Sequence, residues 1–426
     1  MNQPGDDAPR STETARRRIL LVDCDMFFVQ VARLEDPEGA GRAPLLLVGG
    51  SASGRGVVTS ADYSVREFGV HSGMPVSQAL RLCPRATVVP VPRQACVTRS
   101  RAIRECLEAM APVVQAASID EFYLDLTGTE RLYAGQSLAQ TAERIQERVR
   151  EATGITVSLG GGTVRLVAKL AVERAKPGGV HIVPPGREAA FLQEHELADL
   201  PGVGPALLEQ LETRGLRTVK DLIPLQYEWL DRWFGPNRGR WLWERARGID
   251  PSPVDPDPGR KSISAERTFP RDLPRDSDGD GELDRRLRRL ALEVGESLRA
   301  KGLLARTVTV KLRDADFTTR NASSTLSQPI SSDRAILRTA VKLLDDLRDR
   351  SGAPVRLLGL GVSSLAENEG ARQLSLLDSE ELEESDRDRT LSRTGDRIRK
   401  RFGRDALLPG GLLGRPEDPN DGEDNP

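Results

Sequence analysis

Three carboxylates stand where apolar runs of strand length stop. Residues 18–24, RILLVDC, reach Asp23 and continue into Asp25, Met26, Phe27 and Phe28. About a hundred residues later, the string ASIDEFYLD sets Asp120 and Glu121 between two further apolar runs. Val113 to Ala117 and Phe122 to Leu126 read as the strands of a hairpin with these two acids near its tip. Lone acidic side chains at strand ends are usually solvated, but two such ends brought together make a hard-oxygen site for a divalent cation. Zinc chemistry is a poor competitor. Cys24, Cys83, Cys96 and Cys106 form no C-x-x-C pair, and His is too scarce to complete a tetrahedral site.

The elements that must position these groups follow along the chain. Helical periodicity covers 136–152, then comes a strand at 155–160 and a helix at 163–175 closed by Lys176-Pro177-Gly178-Gly179. This half reads as α+β. The next 70 or so residues have short amphipathic helices around Leu200-Pro201-Gly202-Val203-Gly204 and few strand signals, which predicts a small helical domain. Pro251, Pro253, Pro256 and Pro258 then predict a stiff extended linker. Beyond it the pattern is strand (261–269), helix (283–300), strand (305–313), strand (317–326), helix (332–350), strand (354–363), the βαββαβ order of ferredoxin-like folds. In the strand 305–313, Thr307, Thr309, Lys311 and Arg313 share one face, and Val308, Val310 and Leu312 the other. Residues after 365 are charged and Gly/Pro-rich apart from an amphipathic stretch near Asp396 to Leu408, so a mostly flexible tail is expected.

Bulk composition bounds the function. A chain of 426 residues suits three or four packed units, and 38% hydrophobic with 30% charged residues is globular. No apolar run reaches the roughly 18 residues of a membrane span, and the polar segment Met1 to Arg18 lacks the apolar stretch of a secretory signal. The reading is a cytoplasmic protein without membrane contact. The net charge of −2 divides unevenly: from Leu365 onward there are 16 acidic and 10 basic residues, leaving the remainder at +4. That sign permits nucleic-acid binding without demanding it. Eight lysines against 54 arginines reflect GC-rich coding as readily as phosphate recognition.

The strings LVDCDMFF, TSADYSVREFGVHSGMP, ASIDEFYLD, ERAKPGG and LADLPGVGPALLEQLETRG occur in one order, followed by GRKSISAERTF. Together they resemble the motifs of Y-family DNA polymerases, particularly the bacterial DNA polymerase IV type, from about Arg18 to Leu365. The resemblance implies an α+β multidomain right hand: disordered N-terminus 1–17, palm 18–26 and 93–183, fingers 27–92, thumb 184–250 with a helix-hairpin-helix, linker 251–260, ferredoxin-like little finger 261–365 and flexible tail 366–426. It also implies a low-fidelity, translesion, DNA-repair polymerase without proofreading, adding dNTPs to a primer–template with two Mg²⁺ ions.

By the same resemblance, Asp23 and Asp120 bridge both ions, Glu121 holds the ion nearer the primer 3′-hydroxyl, and the Cys24 carbonyl completes the nucleotide-side ion. Asp25 is kept as structural. Phe28 lies beneath the incoming sugar as a steric gate. Tyr63 and Arg66, three apart on one helix face, contact the triphosphate, as does Lys176. Gly202 and Gly204 let backbone amides approach a DNA phosphate, and Lys311 and Arg313 face the template backbone. Gln373, Leu374, Leu376 and Leu377 resemble a peptide that docks in the pocket of the sliding clamp, with Leu377 where an aromatic is usual. The implied protein works as a monomer. One departure lies in GGGTVRLVAKLA, where Arg165 stands about where relatives carry a Lys, keeping charge but changing donor geometry. A weakly active or inactive relative serving as a clamp-binding scaffold is the rival reading. A nuclease or DNA-binding module built on the helix-hairpin-helix is another, and it leaves the acidic motifs unexplained.

Overall fold

The computed structural model describes residues 17–367 and 384–412. The expectations for residues 1–16 and for Gln373, Leu374, Leu376 and Leu377 lie outside the described residues. The chain divides into two compact units, Met1–Pro258 and Gly259–Pro426.

In the first unit the strands are β1 (Ile19–Cys24), β2 (Leu46–Gly49), β3 (Val58–Ala61), β4 (Thr87–Val89), β5 (Val113–Ala116), β6 (Glu121–Asp125), β7 (Val157–Gly162) and β8 (Val180–Ile182). The main sheet runs β5-β6-β1-β7-β8. Every residue of the central β1 is buried, which explains its unbroken apolar run: a strand covered on both faces has no reason to alternate. Leu20 and Val22 pack with Ile103 and Leu107 of the helix Arg93–Glu108 and with Ile145 and Val149 of the helix Leu138–Thr153. Ile19 and Leu21 point to the other face, against Ala168 and Val172 of the helix Arg165–Ala175. The helix Leu138–Thr153 starts at a Ser137/Gln140 capping box and stops at Gly154, whose φ of 73° suits a left-handed C-cap.

The approach of the helix Arg165–Ala175 depends on β7. A Cβ at Gly160 would lie 2.2 Å from the Val172 amide nitrogen and 2.3 Å from the Ala168 carbonyl oxygen. Glycine at this point lets helix backbone rest directly on strand backbone. A small sheet, β3-β2-β4, and the helix Val76–Leu82 form a separate core around Leu47, Val65 and Val76. Short helices after residue 187 enclose Leu192, Leu211, Leu230 and Leu242, as expected of a small helical domain.

The proline-rich segment after residue 250 is strapped onto the main sheet. Val254 is buried beside Ile19 and Tyr123, the Asp255 amide donates to Gln115 Oε1 at 3.0 Å, and Arg165 donates to the Pro253 carbonyl at 2.8 Å.

The second unit has β9 (Ser262–Leu273), β10 (Leu303–Asp314), β11 (Thr319–Ile330) and β12 (Val355–Glu367), with the helices Ser277–Ala300 and Asp333–Asp349 in the expected βαββαβ order. Its sheet runs β11-β10-β12-β9 with every pairing antiparallel. The central pair is therefore the second and fourth strands, whereas a ferredoxin-like sheet centres its first and third in parallel. Leu290, Val294, Ile336 and Leu344 from the two helices meet Val308, Val310 and Leu312 on one face. The other face is open.

The sequence reading differs from the structure after β12. A mostly flexible tail was expected there, with amphipathic character near 396–408, yet Asp386–Phe402 is a helix docked on the helical layer. Its anchors are polar and so escape an apolar-periodicity test: buried Glu384 accepts the Ser331 amide at 2.8 Å, and Arg299 bonds both Asp333 and Asp396. Among the described residues no helix is long and apolar enough to cross a membrane.

Candidate active site

Asp23 is the fifth residue of β1 and sits directly opposite Glu121, the first residue of β6. Beside them the Cys24 amide donates to the Asp120 carbonyl at 3.0 Å. The strand-to-hairpin register thus brings Asp23, Cys24, Asp120 and Glu121 to one sheet end. Asp120 itself is held by a short hydrogen bond from Ser118 Oγ, which also accepts the Glu121 amide at 3.1 Å.

Odd residues of β1 face the helix Arg165–Ala175, and so Asp23 meets that helix's cations. Lys176, its C-cap, places Nζ 2.9 Å from Asp23 Oδ2. Lys169, seven residues earlier, hydrogen-bonds Glu121 Oε1 and lies 3.9 Å from Asp23 Oδ2. Burial pushes the Asp23 carboxyl up to about 6 against the pull of Lys176. Burial alone would lower the Lys176 ammonium, but Asp23 and Glu173 outweigh it and hold it above its ordinary value. Burial, followed by the neighbouring Asp120 and Asp23 charges, drives the Cys24 thiol well up, so its sulfur is not a nucleophile here. Among the described residues no three His, Cys, Asp or Glu side chains already form a metal cage.

Asp25, two residues on, has a different environment. It accepts from Tyr63 Oη at 3.1 Å, Ser158 Oγ at 2.8 Å and the Gly178 amide at 2.9 Å. These bonds tie the short helix Tyr63–Arg66 to the end of β1. Burial, then Asp25, pushes the Tyr63 phenol up to about 12, keeping it a donor. Arg66 is exposed, with Nε on the Ala61 carbonyl at 2.9 Å and its guanidinium over the Tyr63 ring. Met26 adopts a left-handed φ of 45° and turns the chain from β1 into the helix Phe27–Glu35. Phe28 is half-buried there, edge-on to Phe27 at 5.5 Å between ring centroids.

Sequence reasoning missed Lys169 and entertained Arg165 instead. Arg165 stacks on Tyr123 at 4.2 Å and reaches the Pro253 carbonyl, away from the carboxylates. The missed signal was spacing: residues seven apart lie on one helix face, and Lys169 and Lys176 are so related.

The remaining expected positions belong to the small helical domain and to the second unit. Gly202 has φ 107°, and a Cβ there would lie 2.9 Å from the Trp241 ring. Gly204 precedes the helix Pro205–Glu212, whose N-terminus has no side-chain cap. Lys311 and Arg313 lie on the open face of the second unit's sheet, where Lys311 pairs with Glu266 and Arg313 bonds Thr319 at 2.8 Å.

A carboxylate-edged mixed sheet, followed by a small helical domain and a second β-sheet unit, is the frame of a right-hand polymerase. Residues 22–173 match the impB/mucB/samB family, residues 260–376 its C-terminal domain, and residues 198–250 the thumb domain of DNA polymerase-iota. A DNA polymerase IV of Dehalococcoides mccartyi is 36% identical over 92% of this chain and 97% of its own length. One from Halorhodospira halophila is 39% identical over 82% of this chain and 95% of its own. Among solved structures, a Y-family DNA polymerase chimera of Dbh and Dpo4 has a TM-score of 0.72 at 26% identity, covering 82% of this chain and all of that one. An insertion ternary complex of Dbh DNA polymerase gives 0.56 at 25% identity over the same shares. The chain belongs to the Y-family of DNA polymerases and is a DNA-directed DNA polymerase, similar throughout to the bacterial DNA polymerase IV group.

Proposed function

We propose that the protein extends a primer 3′ end with dNTPs across damaged template, at low fidelity and without proofreading, by nucleotidyl transfer at Asp23, Asp120 and Glu121. One observation carries this reading: Asp23 and Glu121 face each other across β1 and β6 with the ammonium groups of Lys176 and Lys169 against them. Such a negative cluster, buried at Asp23 and part-exposed at Asp120 and Glu121, made only of oxygen donors and balanced by cations, fits hard divalent ions that keep water and phosphate ligands. Asp23 and Asp120 would hold two Mg²⁺ ions, with Glu121 completing one and the Cys24 carbonyl the other. When bound, the ions neutralise charge on the attacking and leaving oxygens.

The chain's own residues position the nucleotide. Tyr63, Arg66 and Lys176 donate to the triphosphate, with Lys176 leaving Asp23 to do so. Phe28 excludes a ribose 2′-hydroxyl. Backbone amides beside Gly202 and Gly204 grip a DNA phosphate, and Lys311 and Arg313, with Thr307 and Thr309, line an open face suited to the DNA backbone. The Dbh ternary complexes hold substrates on a similar chain, which supports primer–template and dNTP as partners. In this reading 18–26 and 93–183 are palm, 27–92 fingers, 184–250 thumb and 261–365 little finger, and the Gln373–Leu377 string recruits a monomer to the sliding clamp.

The test is Asp120→Ala. Single-nucleotide addition in Mg²⁺ falls by about a hundredfold or more, the loss of several kcal/mol of charge stabilisation, while primer–template affinity stays near wild type. Extension at the wild-type rate would sink the assignment.

A further inference from the structure

The docked helix Asp386–Phe402 has seven basic and three acidic side chains, and they are sorted by face. Toward the protein, Asp388 bonds Ser385 Oγ at 2.8 Å and pairs with Arg334 at 3.3 Å, while Asp396 takes Arg299 at 2.6 Å and Arg399 at 2.8 Å. Away from it, Arg393, Arg397 and Lys400 recur at i, i+4 and i+7, with Arg401 next, and all four are exposed. Arg397 bonds Thr394 Oγ1 at 3.2 Å and Arg401 lies over the Phe402 ring. Among the described residues none of the four has a carboxylate within ion-pair distance. Exposed Arg404 follows in the next turn. Asp386 is the helix's one exposed carboxylate, and it stands in the first turn.

Two ordinary explanations fall short. Cations in a last turn complement the helix dipole, which accounts for Arg399, Lys400 and Arg401 but not for Arg393 and Arg397 one to two turns earlier. Solubility alone is served by interspersed signs, whereas here both inner carboxylates are turned inward and one sign is left outside.

We propose that this stripe is a second, sequence-independent contact for the DNA sugar–phosphate backbone. The proposal rests on the protein's being a DNA polymerase and adds a surface distinct from the open sheet face, because the helix packs on the opposite, helical layer of the second unit. At about 1.5 Å per residue, Arg393 to Arg401 spans about 12 Å. That matches three to four base-pair steps at roughly 3.4 Å along one strand. Arginine forks suit phosphate oxygens, and the contact reads no base.

The experiment uses the full chain and a labelled primer–template, with affinity measured by fluorescence anisotropy across a KCl series. In R393Q/R397Q/K400Q/R401Q the slope of log K against log[KCl] becomes shallower by about two to four units, since each phosphate that is no longer neutralised removes roughly 0.9. R393K/R397K/R401K keeps the wild-type slope because charge is kept. Single-nucleotide addition on saturating DNA at low salt is unchanged in the Gln variant, so a failed polymerase reading would be seen separately. An unchanged slope in the Gln variant overturns the proposal, as does an equally shallow slope in the Lys variant, which would trace the effect to packing. A difference seen only in a chain ending at Leu412 also overturns it, since acidic residues Glu417 to Asp424 would then be the stripe's occupant.

Discussion

Asp23 and Asp25 are separated by a single residue, and their partners give them different duties. Asp25 has its oxygens occupied by a phenol, a hydroxyl and an amide, so it serves as a fixed joint between β1 and the helix Tyr63–Arg66. Asp23 faces ammonium groups, which can move, and a carboxylate with movable counter-ions is the one suited to exchange partners during a reaction. Phe28 can be tested at the same scale. Its ring is half-buried, touches Phe27 and packs on the margins of the cores around Leu20 and Val22 and around Leu46 and Val48, so truncation removes only part of a core side chain's packing. In Phe28→Ala, discrimination between dNTP and rNTP, read as a ratio of kcat/KM values, falls by on the order of a hundredfold. An unchanged ratio would make Phe28 a core residue only.

For the elements, the decisive contact is between β7 and the helix Arg165–Ala175. The helix carries Lys169 and ends at Lys176, so its distance from the sheet sets how far both ammonium groups reach toward Asp23 and Glu121. Gly160 permits that distance. Gly160→Ala inserts a methyl group into backbone contacts of 2.2 and 2.3 Å, and overpacking of this kind costs about 1–3 kcal/mol or more. The variant melts several degrees lower, at about 2–4 °C per kcal/mol, and its KM for dNTP rises as the two lysines are pushed away. A melting temperature equal to wild type would show that the helix has room to shift.

On the scale of the whole molecule, the peptide proposed for recruitment and the carboxylates proposed for chemistry lie in different parts of the chain. The Gln373–Leu377 string lies between Glu367, at the end of β12, and Glu384, which is buried in the same unit. Burying Leu374, Leu376 and Leu377 in an apolar clamp pocket would contribute on the order of 1.5–3 kcal/mol each before ordering costs. Replacing Gln373, Leu374 and Leu377 with Ala is expected to abolish clamp-stimulated synthesis and to leave clamp-free single-nucleotide addition unchanged. Equal clamp stimulation in the triple variant would remove this string from recruitment.

The family, the α+β character and the acidic strand ends were legible in sequence because each is a local pattern: apolar runs that end in carboxylates, turn residues at fixed offsets, and strings in one order. Local patterns also marked the βαββαβ order, but not which strands pair at its centre, since pairing is a choice among distant segments. Lys169 went unnoticed, and Arg165 was considered in its place, because both sit on one helix and only the packing of that helix on Gly160 decides which reaches the carboxylates. The helix Asp386–Phe402 read as tail because charge normally signals solvation. It docks through charge instead, with Arg299, Asp333 and Asp396 paired across about a hundred residues of sequence, and such complementarity exists only once the second unit has folded.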